Sequence, residues 1–204
     1  MSKLLLLGSL ASCFASYGCR VTATDLHPER AERAGWVATE QHATNKAKLN
    51  GLGLCDAESF AKRVEFEFAD MNDVSRKFDD TFDFLWSSCA LEHLGSLAHG
   101  ENFVYNSIRC LKRGGVAVHT TEFNLSSNDE TLEDQNLVLY RRKDIDRIVG
   151  EIRRLGCHID INWNAGNAFS DYYVDVPPYR TDLHLKLRIM HYTVTSVGLV
   201  LVKM

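Results

Sequence analysis

Four polar residues close four strand-like runs. Asp25 ends Arg20–Asp25, Asp70 follows Val64–Phe68, Ser87 follows Phe82–Trp86, and Glu122 follows Val116–Thr121. In open α/β sheets, ligands bind outside the carboxyl ends of the strands. Four polar side chains at four such ends therefore describe one candidate pocket. Ser88 and Cys89 extend the same edge, and Glu92-His93 come shortly after. His93 is the better proton acceptor of that pair, because an unperturbed histidine titrates near neutrality. Just past Glu122 lies Asn124, and Tyr173 sits in a stretch rich in Tyr, His and Arg. Glu122, Asn124 and Tyr173 are candidate substrate contacts.

The elements that must position these residues follow from periodicity. Val64-Glu65-Phe66-Glu67-Phe68 alternates apolar and charged, as a strand with one buried face does. Val104, Ile108 and Leu111 recur at helical spacing, which predicts a helix over 97–112 closed by Gly114-Gly115. Ile145, Ile148, Val149, Ile152 and Leu155 predict the next one. Leu4–Leu7 reads as a buried strand, with a turn at Gly8 and a helix from Ser9 to Tyr17. Further helices are expected over 28–34 and 38–49, and late strands over 158–162 and 194–202, with 163–192 irregular. Strand–helix alternation of this kind builds a doubly wound, mostly parallel sheet. On the fifth strand, alternation puts His119 and Thr121 on one face and Thr120 and Glu122 on the other.

Composition narrows the class. The chain has 204 residues, 45% hydrophobic and 25% charged, with a net charge of −4. That is ordinary for a globular domain and argues against disorder and against a nucleic-acid binder. No apolar run reaches the ~20 residues of a membrane span, so a cytoplasmic protein without membrane partners is expected. The six cysteines are scattered singly, with no C-x-x-C pair, so they read as reduced thiols and a metal centre is not expected. Asp175-Val176-Pro177-Pro178-Tyr179 reads as a rigid turn.

Four segments in order carry a family resemblance: GCRVTATDLHPE (18–29), FADMNDV (68–74), FDFLWSSCALEHLGS (82–96) and CLKRGGVAVHTTEFN (110–124). The chain resembles the class I S-adenosylmethionine-dependent methyltransferases over nearly its whole length. The resemblance implies a single Rossmann-like α/β domain over 1–204, with 163–192 as an acceptor-side insertion. It implies S-adenosylmethionine as cofactor, held by Gly8, Asp25, Leu26, Asp70, Met71, Ser87, Ser88 and Cys89. Asp25 would accept hydrogen bonds from the ribose hydroxyls, and Asp70 one from the adenine amino group, with Met71 packed on the ring and Leu26 as apolar wall. His93 would take a proton from the acceptor, a small molecule or glycan methylated at oxygen.

One motif departs from the pattern. Where relatives carry G-x-G-x-G, only Gly8-Ser9 stands, and Gly8 to Asp25 spans 25 − 8 = 17 positions, about four fewer than the resemblance implies. The expectation is an N-terminally shortened fold with weak or absent cofactor affinity. Two alternatives stay open: a methyltransferase-like binding module without catalysis, and an NAD-dependent oxidoreductase, since Asp25 also suits an NAD ribose. Lys3 and Leu4–Leu7 resemble a short export signal as well, but the family reading assigns 9–19 to the first helix instead.

Overall fold

Valine and threonine branch at Cβ and suit a pleated surface, and they build β1, Val21–Asp25. The computed structural model describes residues 6–33, 35–37, 42–164, 166–180 and 184–204. Contacts along the chain group residues 3–73 and 74–204 into two compact units.

In the first unit, α1 (Leu6–Ser16) buries Ala11, Ser12 and Ala15. Its end is shaped by Gly18, whose φ of +92° is a conformation that favours glycine. Gly8 lies inside α1, not at a turn before it, and the expected strand over Leu4–Leu7 is replaced at Leu6 and Leu7 by helix; Leu4 and Leu5 lie outside the described residues. α2 (Pro28–Arg33) starts on proline, where the missing N–H costs nothing. The helix expected over 38–49 is a single 3₁₀ turn, Lys46–Asn50, with 38–41 outside the described residues. Alternation alone passes over α3 (Ala57–Arg63), which Asp56 caps by accepting from Ser59 N at 2.8 Å. β2 (Val64–Phe68) pairs parallel with β1, from Val21↔Val64 to Asp25↔Phe68.

The second unit holds β3 (Phe82–Ser88), α4 (Leu97–Cys110), β4 (Leu111–Asn124), α5 (Arg142–Arg154), β5 (Cys157–Asp160), α6 (Phe169–Tyr172), β6 (Leu187–Ile189) and β7 (Tyr192–Lys203). The sheet order is β3-β4-β7-β5, with β6 on β7. β3 and β4 are parallel, while β7 runs antiparallel to both β4 and β5. β3, β4 and β5 therefore share one direction.

Gly114-Gly115 do not close a helix. α4 ends at Cys110, and the two glycines sit in a bulge of β4, where the register with β3 shifts between Phe82 and Phe84. A Cβ on Gly115 would stand 2.8 Å from Lys112 O and 3.1 Å from Phe82 O, so only glycine lets the strand pass.

One face of the second sheet forms the core, through Ala117, His119, Thr121, Ile159, Val197, Leu199 and Leu201, all buried. α4 packs on β4 and α5 on β5. α5 contributes Ile145, Ile148 and Ile152, the stripe its spacing predicts, whereas Leu155 is exposed. Among the described residues no helix is long and apolar enough to cross a membrane, and all six cysteines are free.

Candidate active site

The parallel pairing of β1 and β2 places Asp25 and Asp70 at one edge of the first unit. Asp25 is held by backbone amides: Leu26 N donates to Oδ1 at 2.8 Å and Ala43 N to Oδ2 at 2.7 Å. His42 Nε2 donates to Leu26 O at 2.6 Å and lies 3.6 Å from Asp25 Oδ1. Burial pushes the Asp25 carboxyl up, and the two amides and His42 pull it back. Each carboxylate oxygen has about two acceptor sites, so each keeps one after its amide bond. With 24% of the side chain exposed, Asp25 can still meet a diol.

Asp70 is differently engaged. Its Oδ1 accepts from Asn72 N at 2.9 Å and its Oδ2 pairs with Arg30 of α2. Leu26 and Met71 flank these acids, both half-buried. Alternation and motif reading both missed an aromatic group at the same edge: His27 lies 5.4 Å and His42 6.3 Å, ring to ring, from half-exposed Phe68. Gly8 belongs to the first turn of α1, whose N–H groups have no acceptor within the helix.

In the second unit, Ser87 and Ser88 sit opposite His119 and Thr120 in the β3–β4 register. His119 is fully buried between two hydroxyls. Ser107 Oγ donates to Val104 O at 2.7 Å, so it accepts from His119 Nε2–H at 3.0 Å. Nδ1 is then the acceptor for the Ser87 hydroxyl at 2.8 Å. Burial holds the imidazole neutral, with its pKa lowered to about 4. His119 is thus no proton acceptor for a substrate; it fixes Ser87.

At the end of β3 the backbone of Cys89 takes φ +46°, a left-handed conformation rare for a side-chain-bearing residue and concentrated at functional sites. Two bonds hold it there, from Cys89 N to Thr120 O at 3.1 Å and to Thr120 Oγ1 at 3.0 Å. The turn aims the thiol into an acidic cluster: the polar atoms of Cys89, Glu92 and Glu122 all lie within 4.8 Å of one another. Glu92 is 1% exposed and accepts from Thr121 Oγ1 at 3.0 Å. Glu122 is fixed through its backbone, its carbonyl accepting from Tyr140 N at 3.0 Å, while its buried Oε2 has no partner among the described residues. Burial pushes both carboxyls up to about 7, and the Glu92 charge adds to the shift of Glu122. The Cys89 thiol is raised by burial and by both acids, so it stays protonated.

His93 follows in the same turn. Its Nδ1 donates to Asn136 O at 2.7 Å, which leaves Nε2 as the acceptor nitrogen. Asn124, a candidate substrate contact, organises the loop that follows β4. Its Oδ1 accepts from Ser126 N and Ser127 N and its Nδ2 donates to Glu130 O, in a buried position. Tyr173 lines a cavity of about 260 Å³ and donates to Asp175 Oδ1 at 3.2 Å. Sequence reasoning passed over Glu92 as a proton acceptor because burial, which raises its carboxyl to about 7, is invisible in one sequence.

A family model described as a methyltransferase domain matches residues 6–119, more than half of the chain. The chain belongs to that family. No curated protein sequence matches it. Among solved structures, it is similar to a SAM-dependent methyltransferase from Methanosarcina mazei, at 14% identity and a TM-score of 0.51, covering 94% of this chain and 85% of that one. The [4+2]-cyclase SpnF aligns at 16% identity and 0.45, over 71% of this chain and 44% of its own. An O-methyltransferase family protein from Burkholderia thailandensis aligns at 15% and 0.44, over 89% and 43%. The chain thus spans less than half the length of the last two. By family and fold it is a Rossmann-like, class I S-adenosylmethionine-dependent methyltransferase domain, which sets aside the NAD-dependent oxidoreductase reading.

Proposed function

We propose that the chain transfers a methyl group from S-adenosylmethionine to a hydroxyl of a small-molecule or glycan-type acceptor. The observation that carries this reading is the pairing of Glu92, buried just past β3, with half-buried Glu122 near the end of β4, whose buried Oε2 has no partner among the described residues. A group that holds about one proton near neutrality suits general acid–base work. The first unit fits the cofactor's nucleoside: Asp25 keeps two acceptor sites for ribose hydroxyls, and Leu26, Met71 and Phe68 offer apolar surface for adenine, with Asp70 tethered by Arg30. In the second unit, Ser87, Ser88 and Cys89 present polar groups at the end of β3.

When bound, the cofactor supplies an electrophilic methyl on a sulfonium. Glu122, ionised, would take the acceptor's proton as the oxygen is methylated, while Glu92 holds the pair's resident proton and so keeps the two carboxyls from carrying two charges beforehand. Cys89, neutral, forms wall. Proximity and alignment supply most of the acceleration, because the leaving group is already good.

Release of S-adenosylhomocysteine across a panel of hydroxylated acceptors tests the reading. Turnover that falls about 100-fold in Glu122→Gln supports it; turnover undiminished in that variant, or found only with amine acceptors, contradicts it. A second reading, a methyltransferase-fold module that binds without catalysis, is favoured by the helical placement of Gly8. Saturable S-adenosylhomocysteine binding with no turnover on any acceptor would select it.

A further inference from the structure

A separate cavity of about 260 Å³ opens within the segment between β5 and β7. Its walls are Phe169 and Leu185, both well exposed, with Tyr173, Arg180 and His184 as polar groups and Asp175 beneath them. Asp175 is 1% exposed and accepts three hydrogen bonds. It accepts from Tyr173 Oη at 3.2 Å and Val176 N at 3.0 Å on Oδ1, and from Arg180 N at 2.9 Å on Oδ2, with His184 Nδ1 at 3.2 Å from Oδ2. Four groups thus converge on one buried carboxylate and fix the shape of the loop. Leu185 is tied to the sheet, its carbonyl accepting from Thr195 Oγ1 at 2.7 Å. Thr195 adjoins Ser196, whose Oγ lies 3.9 Å from Cys89 Sγ.

What remains unsatisfied is positive. Only the backbone N of Arg180 is used by Asp175. Its guanidinium lies 5.1 Å from the centre of the Tyr173 ring. Among the described residues no carboxylate stands within ion-pair distance of it. A guanidinium stacked on an aromatic face is a pre-oriented fork that matches the two oxygens of a carboxylate. A dianionic phosphate fits less well, because the buried Asp175 charge lies close and one guanidinium does not offset both. The apolar walls and the small volume suit a compact apolar body, not a free anion.

We propose that this cavity binds a small aromatic carboxylic acid, its carboxylate on Arg180 and its ring between Tyr173, Phe169 and Leu185. That this acid is the methyl acceptor rests on the methyl-transfer reading; that it binds does not. Ligand-observed NMR on the full chain, without cofactor, tests binding with 4-hydroxybenzoate as probe. The expected result is saturable binding with Kd on the order of 1 mM. It should weaken about tenfold or more in Arg180→Gln and for the neutral analogue 4-hydroxybenzyl alcohol, with inorganic phosphate failing to displace the probe. Arg180 is exposed, and an unchanged melting temperature in the variant shows that the loss is local. Equal binding in Arg180→Gln, equal binding of the neutral alcohol, displacement by phosphate, or no binding at about 20 mM would each overturn the proposal. Intact binding in a protein that forms no S-adenosylhomocysteine would instead count against methyl transfer alone.

Discussion

Glu122→Gln should make the protein more stable in alkali while it removes activity. Burial pushes the Glu122 carboxyl from 4.5 to about 7. A group whose folded pKa is raised is most stabilising below its unfolded pKa, and that contribution is lost as pH rises through the folded value. Each tenfold change in proton affinity corresponds to about 1.4 kcal/mol, so keeping Glu122 ionised above pH 7 costs the fold about 3 kcal/mol. Partial exposure and the shared Glu92 charge reduce this to about 2 kcal/mol. Glutamine never ionises and escapes the cost. For a domain of this size, the variant should melt about 4–8 °C above the parent at pH 8.5, with about a quarter of the gap left at pH 5. Thermal melts at pH 5, 7 and 8.5 measure it. A variant less stable than the parent at pH 8.5, or a gap independent of pH, would refute the claim that Glu122 is a strained, proton-sharing acid.

Three further outcomes follow from named contacts. A Cβ on Gly100 would lie 1.8 Å from Tyr140 Oη, inside the core, so Gly100→Ala should cost about 1–3 kcal/mol in urea unfolding; a neutral result would mean that Tyr140 moves freely. Asp144 is fully buried and accepts from Arg141 Nε at 2.7 Å and Arg147 Nη2 at 2.9 Å; Arg147 keeps its pair with Glu101, so Asp144→Ala should cost about 1–3 kcal/mol, chiefly by leaving Arg141 without its carboxylate. His119, with its pKa lowered to about 4, should show a neutral Nε2–H imidazole in nitrogen NMR from pH 8 to 5. Its stabilising contribution is whole above pH 6.5 and is lost as pH falls toward 4, and a titration midpoint above 6 would contradict the two-serine clamp.

Several elements were legible because each carries its own local signal, whereas the strand expected at Leu4–Leu7 is helix at Leu6 and Leu7, and β6 lies in a stretch read as irregular. Val64–Phe68 alternates, and Ile145, Ile148 and Ile152 mark a helix face; both stand where periodicity puts them. Elements that depend on tertiary pairing were not. Leu111–Gly115 read as the end of a helix, yet pairing with Phe82 draws it into β4 as a bulge. α3 is seven residues long, too short for periodicity to register. The candidate site divides in the same way. Asp25, Ser87 and Glu122 were visible as polar ends of apolar runs. Glu92 was not, because its altered proton affinity comes from burial, and burial is a property of the packed chain. Asn124 was visible by position, while its partners in the following loop, Ser126, Ser127 and Glu130, were not.

The central claim is that this methyltransferase-family domain binds S-adenosylmethionine through Asp25. Calorimetric titration of the full chain with S-adenosylhomocysteine tests it most directly. One saturable site is expected, with Kd on the order of 100 µM because Gly8 lies in helix and not in a glycine loop, and loss of at least tenfold in Asp25→Ala. No heat of binding at millimolar ligand, or binding indifferent to Asp25→Ala, would contradict it.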